Sequence, residues 1–101
     1  MKVLIYQKEK QIYKIEVYGH AKDTIACAGF SGAFNFVYGC LITISESNML
    51  LSTKHNFDDL RMLNIFTTDE KTKWLLDQFK DYCLMLKDQY FLDLEVINEK
   101  N

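Results

Sequence analysis

From Ile25 to Ile44 the chain runs without a charged side chain. A stretch of that length can span a bilayer, so its content decides what the rest of the chain can be. Gly29, Ser31, Gly32, Asn35 and Gly39 dilute its hydrophobicity. The flanking sequence lacks the Lys/Arg asymmetry of a membrane boundary. The stretch therefore reads as a helix buried on most of its faces, and no membrane partner is expected. Cys27, Phe30, Phe34, Leu41 and Ile44 recur at helical spacing and predict a helix from about Ala26 to about Ser47. Thr24 is its expected N-cap, because a hydroxyl there accepts from the unpaired amides of the first turn. Each of the three glycines inside the helix costs about 1 kcal/mol relative to alanine, so a packing or access requirement is expected to explain them.

The segments on either side alternate. Residues 2–8 and 11–18 read as two strands joined by a hairpin at Lys8-Glu9-Lys10, with the turn type open. Met49 to Ser52 is a short strand or a continuation of the helix, and residues 53–59 are a polar turn. Leu60 to Thr67 alternates as a strand. Thr68 or Asp69 caps a second helix with Glu70 in its first turn. That helix places Trp74, Leu75, Phe79, Tyr82 and Leu86 on one side and ends near Gln89. Phe91 to Ile97 is the last strand. The order is β-β-α-(β)-β-α-β, which predicts a two-layer α+β fold, a mixed or antiparallel sheet covered by two helices. The 101 residues suit one domain, 1–101.

Charge and cysteines narrow the function. The net charge is −2, with no basic stripe of the kind that phosphate backbones attract, so no direct nucleic-acid partner is expected. Cys27, Cys40 and Cys83 are an odd set without a C-x-x-C pair, and no signal peptide is read at the N-terminus. Free thiols in a reducing cytosol follow, and a thiol redox role is poorly supported. A zinc site would need pairs at short spacing among His20, Cys27, Cys40, His55 and Cys83. There are none, so neither metal nor cofactor is expected.

One pair can do chemistry. A cysteine protease needs a thiolate and a neighbouring imidazole. Cys27 falls in the first turn of the long helix, where free amides and the helix dipole lower a thiol's pKa. His20 lies in the loop that delivers the chain to that helix, after Gly19, which permits an unusual backbone angle. The competing reading is ordinary: a helix cysteine beside alanines is a small buried hydrophobe, and a loop histidine is solvated. Cys40, Cys83, Trp74, Phe79 and Tyr82 read as core and His55 as solvated. Phe30, Phe34, Phe36 and Tyr38 exceed what one sheet face needs, which leaves a groove for an apolar peptide or a subunit as well as core packing.

Gly19-His20-Ala21, followed by Cys27-Ala28-Gly29-Phe30-Ser31, resembles the signature of the ribosomal-processing cysteine proteases, in which G-H-A ends the second strand and C-A-x-x-S opens the first long helix. The likeness extends to the hairpin, the two helices, the strand between them and the ending Tyr90-Phe91-Leu92-Asp93-Leu94-Glu95. The resemblance implies that His20 is the catalytic histidine, Cys27 the nucleophile and Ser31 a residue that could orient the site. Ser31 reads equally well as a helix serine bonded to a carbonyl. The chain resembles a divergent member: the His20–Cys27 loop is several residues shorter than the family pattern, and Thr24 stands where the family tends to place an aspartate. The resemblance implies a bacterial, cytoplasmic homodimer that removes an N-terminal extension from a large-subunit ribosomal protein during ribosome assembly. The rival is a non-catalytic module of the same fold that docks a peptide or ribosomal protein without cutting it.

Overall fold

The computed structural model describes residues 1–19, 23–45, 49–53, 61–65 and 69–99. Among these, two helices lie on one face of a five-stranded sheet: β1 Lys2–Lys8, β2 Gln11–Tyr18, α1 Ile25–Ser45, β3 Met49–Thr53, β4 Arg61–Ile65, α2 Glu70–Tyr90 and β5 Leu94–Glu99. The order across the sheet is β3-β4-β2-β1-β5. β1 and β5 are parallel, and every other pair is antiparallel. The sheet is thus mixed, and the element order is the one the sequence pattern predicts.

Strand alternation selects the buried face. Val3, Ile5, Ile15, Val17, Leu63, Ile65 and Leu94 are buried with the helices' inner stripes in one core. The β1–β2 register shifts between Tyr6 and Gln7, which leaves Tyr13 as an extra residue in β2 and lets Ile12 rejoin the buried side. The turn is a two-residue loop with Lys8 opposite Gln11 and positive φ at both Glu9 (53°) and Lys10 (65°). That is the pattern of a type I′ turn, made without its usual Asn-Gly.

The caps fix both helices. Thr24 caps α1, and its carbonyl accepts the Ala28 amide at 3.0 Å. Asp69, rather than Thr68, caps α2, with its carboxylate accepting the Thr72 amide at 2.7 Å. At the other end of α2, Phe91 adopts a left-handed conformation (φ 62°, ψ 34°), and its N–H bonds to the Leu86 carbonyl. This cap and the following Leu92 delay the last strand, which begins at Leu94 and not at Phe91. Leu60, Phe66 and Thr67, given to the strand by the sequence pattern, lie outside the described residues, as do the loop residues 54–59 and residues 46–48.

Each helix buries one stripe. On α1 it is Cys27, Phe30, Phe34, Val37 and Leu41, and on α2 it is Leu76, Phe79, Cys83 and Leu86, joined by Thr72. The stripes meet through Phe30, Phe34 and Phe79, with ring centroids 5.7 to 6.3 Å apart. Two expectations are corrected here. α1 is not buried on most of its faces: Ile25, Phe36 and Ile42 are exposed, because a helix in an outer layer turns half its circumference away from the sheet. By length and composition alone Ile25–Thr43 could cross a membrane, yet its large apolar stripe packs in this core. Trp74 and Tyr82 are not core either, being 64% and 40% exposed. At 100° per residue, Trp74 lies nearly opposite Thr72 and Leu76.

Gly29 sets the helix separation. A Cβ there would lie 3.2 Å from Leu86 Cδ2 and 3.3 Å from Tyr82 Oη. Gly32 and Gly39 have nothing within 4 Å, so the packing expectation holds for one glycine of the three. α2 is also tied to the sheet through buried Gln7. Lys80 Nζ donates to Gln7 Oε1 at 3.2 Å, and Gln7 Nε2 donates to Asn98 Oδ1.

Candidate active site

β2 runs toward the beginning of α1. Gly19, the first residue past the strand, has φ +79°, and a Cβ on it would come within 3.7 Å of the Met1 Cα. The left-handed angle lets the chain leave the sheet beside its own N-terminus, where a larger residue would be strained. His20, which follows directly, lies outside the described residues, as does His55. The chain is described again from Asp23.

Cys27 is the third residue of α1. Its amide donates to Thr24 Oγ1 at 3.1 Å, an N-cap bond to the N3 position. Its side chain is mostly buried, at 7% exposure. The first turn places the sulfur in the field of the helix N-terminus, which favours an anion. Because the cap has taken the Cys27 amide, the first-turn amides of Ile25 and Ala26 are the ones to be considered for an oxyanion. These are amides for which the helix itself supplies no acceptor. Ser31 is half-buried and lies one turn beyond Cys27, on the same face.

The other thiols differ. Cys83 is fully buried, and burial pushes its thiol up to about 12, so it is an inert core residue as expected. Cys40 is only partly buried. It lines an open cleft of about 450 Å³ with Glu70, Lys71, Trp74 and Leu75, which corrects the expectation that it is core. Among the described residues, no group of three or more His, Cys, Asp or Glu is placed to hold a metal.

Arg61 belongs to the same end of the sheet and was not singled out by the sequence. It pairs with Val17 across β2 and β4. Its guanidinium lies 6.0 Å from the centre of the Phe34 ring and donates toward the Met1 sulfur at 3.8 Å. The available signal was its register: it opens a strand on the helix-facing side, where a cation is unusual.

No family model and no curated protein matches the sequence. Solved structures do match the fold. The essential ribosomal-processing protease Prp from S. aureus, in complex with a covalently linked product peptide, aligns with TM-score 0.77 at 16% identity, over 97% of this chain and 98% of that one. The same protease with a substrate peptide aligns with TM-score 0.73 at 12% identity, again over 97% and 98%. A Streptococcus mutans protein aligns with TM-score 0.76 at 17% identity, over 99% of this chain and 94% of its own. At these identities the agreement shows a shared fold across nearly the whole chain.

Proposed function

We propose that this chain is a cysteine endopeptidase that removes an N-terminal extension from a large-subunit ribosomal protein, working as a single domain in the bacterial cytoplasm and as a homodimer. The observation that carries the reading is Cys27 in the capped first turn of α1, on a fold that in the S. aureus protease carries peptides. The three thiols fit a reducing compartment.

The reaction is acyl transfer. His20 takes the Cys27 proton, and the thiolate attacks the scissile carbonyl carbon to form a C–S bond. The carbonyl oxygen becomes an oxyanion, met by the amides of Ile25 and Ala26. As the oxyanion collapses, the C–N bond breaks and His20 gives its proton to the leaving amine. Water, deprotonated by His20, then attacks the thioester. The carboxylic acid leaves and the thiol is restored. Ser31, on the same helix face, helps to orient the site.

The low exposure of Cys27 favours a second reading, a module that docks the same peptide without cutting it. Selective alkylation separates the two. A working nucleophile reacts near neutral pH faster than Cys40, whereas an inert Cys27 reacts only after unfolding.

A further inference from the structure

The outer face of α1 carries a pattern that packing within one chain does not use. Ile25, Ala28, Gly32, Asn35, Gly39 and Ile42 recur at 3-4-3-4-3 spacing, and all six are exposed. That spacing is the seam of two helices crossing at about 20°. The core takes a different stripe of α1, through Phe30, Phe34, Val37 and Leu41. Large apolar side chains border the seam. Phe36 is 71% exposed and, with Tyr82 of α2, lines a hollow of about 210 Å³ in the groove between the helices. Trp74, also exposed, lines the cleft beside Cys40. Apolar surface that is contiguous over several hundred Å² marks a contact with another molecule.

Charge and area say which molecule. From Ile25 to Ile44 α1 has no charged side chain. A two-fold contact sets a patch against its own copy, so a patch of one charge sign repels itself and an uncharged patch does not. A helix face that lies on lipid carries a cationic border. Here the charged residues beside the cleft are Glu70 and Lys71, which cancel. α1 has 21 residues and is about 30 Å long, and with helix axes about 8–10 Å apart the face and its groove are about 20 Å wide, a footprint of about 600 Å² per copy. Two such footprints reach the lower bound of stable interfaces, about 1,200 Å² over both partners.

We infer that a second copy of this chain packs on this face, with the two α1 helices antiparallel about a two-fold axis between Gly32 and Asn35. Antiparallel pairing opposes the helix dipoles. It sets Ile25 against the partner's Ile42, Ala28 against the partner's Gly39, and Gly32 against the partner's Asn35. Large meets large at the ends and small meets small between them, so the backbones approach closely. Asn35 lies near the centre, where one polar seam residue fixes the register. Cys27 lies about 120° round the helix from Gly39, so the pairing leaves the Cys27 side of α1 open. The inference gives the homodimer proposed above its contact surface and rests on that reading.

The test is the oligomeric state of the full chain, measured by analytical ultracentrifugation over a concentration series, with folding checked by circular dichroism. Wild type is expected to be a dimer. Gly39→Glu meets open space within one copy and keeps the fold, but sets a long acid against the partner's Ala28. It is expected to weaken dimerisation at least about tenfold. Ile25→Lys and Ile42→Glu, both at exposed positions, are each expected to weaken it as well. The double variant places opposite charges against each other across the axis and is expected to recover most of the loss. A wild-type monomer overturns both the inference and the homodimer reading. A wild-type dimer that Gly39→Glu and the two single charge variants leave intact overturns the inference alone and moves the contact to another face. A double variant as weak as the singles overturns the antiparallel pairing.

Discussion

Thr24 Oγ1 accepts the amide of Cys27 at 3.1 Å, while the Thr24 carbonyl accepts the amide of Ala28 at 3.0 Å. One residue therefore begins α1 and orients the backbone that carries the thiol. The resembled proteases tend to place an aspartate at this position. Threonine caps by the same geometry without adding a negative charge beside the sulfur. Thr24→Ala should cost about 1 kcal/mol of stability in urea unfolding, and Thr24→Ser only a few tenths. An equal loss for both substitutions would show that the hydroxyl is not what matters.

The helix glycines should separate under substitution. Gly32→Ala and Gly39→Ala meet open space and should each stabilise the fold by about 0.5–1 kcal/mol through helix propensity. Gly29→Ala gains the same propensity, but its methyl meets Leu86 and Tyr82 at 3.2 and 3.3 Å, so its net effect should fall near zero. Gly29→Val should destabilise by about 1–3 kcal/mol through overpacking. Thermal melts of the four variants decide the order.

The thiols should react in sequence. Cys83 is fully buried and its thiol is raised to about 12, so alkylation at pH 7 followed by peptide mapping should leave it unlabelled until denaturant is added. Cys40, partly exposed, should label without denaturant, and Cys27 faster. Early labelling of Cys83 would contradict the buried stripe of α2.

Alkaline pH should loosen the β1–β2–β5 face. Tyr13 is raised from the ordinary phenol value to about 12, chiefly by its hydrogen bond to the Glu99 carboxylate. Tyr6 is raised as well, first by its hydrogen bond to Glu16 and then by burial. Tyr18 also donates to Glu16, at 3.2 Å. A folded pKa above the unfolded one means that the folded state holds the proton more tightly. The stabilisation is complete below the unfolded value of about 10 and is lost as pH rises through about 12. Tyrosinate absorbance should thus lag behind that of the unfolded chain, with stability declining across the same window. Tyr13→Phe should flatten that decline.

Local rules made much of this fold legible. The alternation of Val3, Ile5, Ile15 and Val17, the Thr24 cap and a cap at Thr68 or Asp69 each follow from local residue type, and all are present, the last at Asp69. What escaped depends on tertiary packing. Spacing alone gave Trp74 and Tyr82 to the core, but the sheet offers α2 one face, and the stripe through Leu76 and Cys83 occupies it. Cys40 was misplaced for the same reason. Phe91 read as a strand residue because nothing local marks a left-handed cap made without glycine. Of the site, Gly19 and Cys27 are where the sequence placed them, and Ser31 shares the Cys27 face. His20 lies outside the described residues, and its partnership with Cys27 rests on the motif.

The central claim is that Cys27 and His20 form a working pair. The most direct measurement is cleavage of the N-terminally extended ribosomal protein from the same source by wild type, Cys27→Ala and His20→Ala, with folding of each variant checked by circular dichroism. The account predicts that wild type cuts at a single site, that Cys27→Ala abolishes cutting, and that His20→Ala lowers it by at least about a hundredfold. A folded wild type that binds the extension and leaves it intact, or a His20→Ala variant that cuts at the wild-type rate, would contradict it.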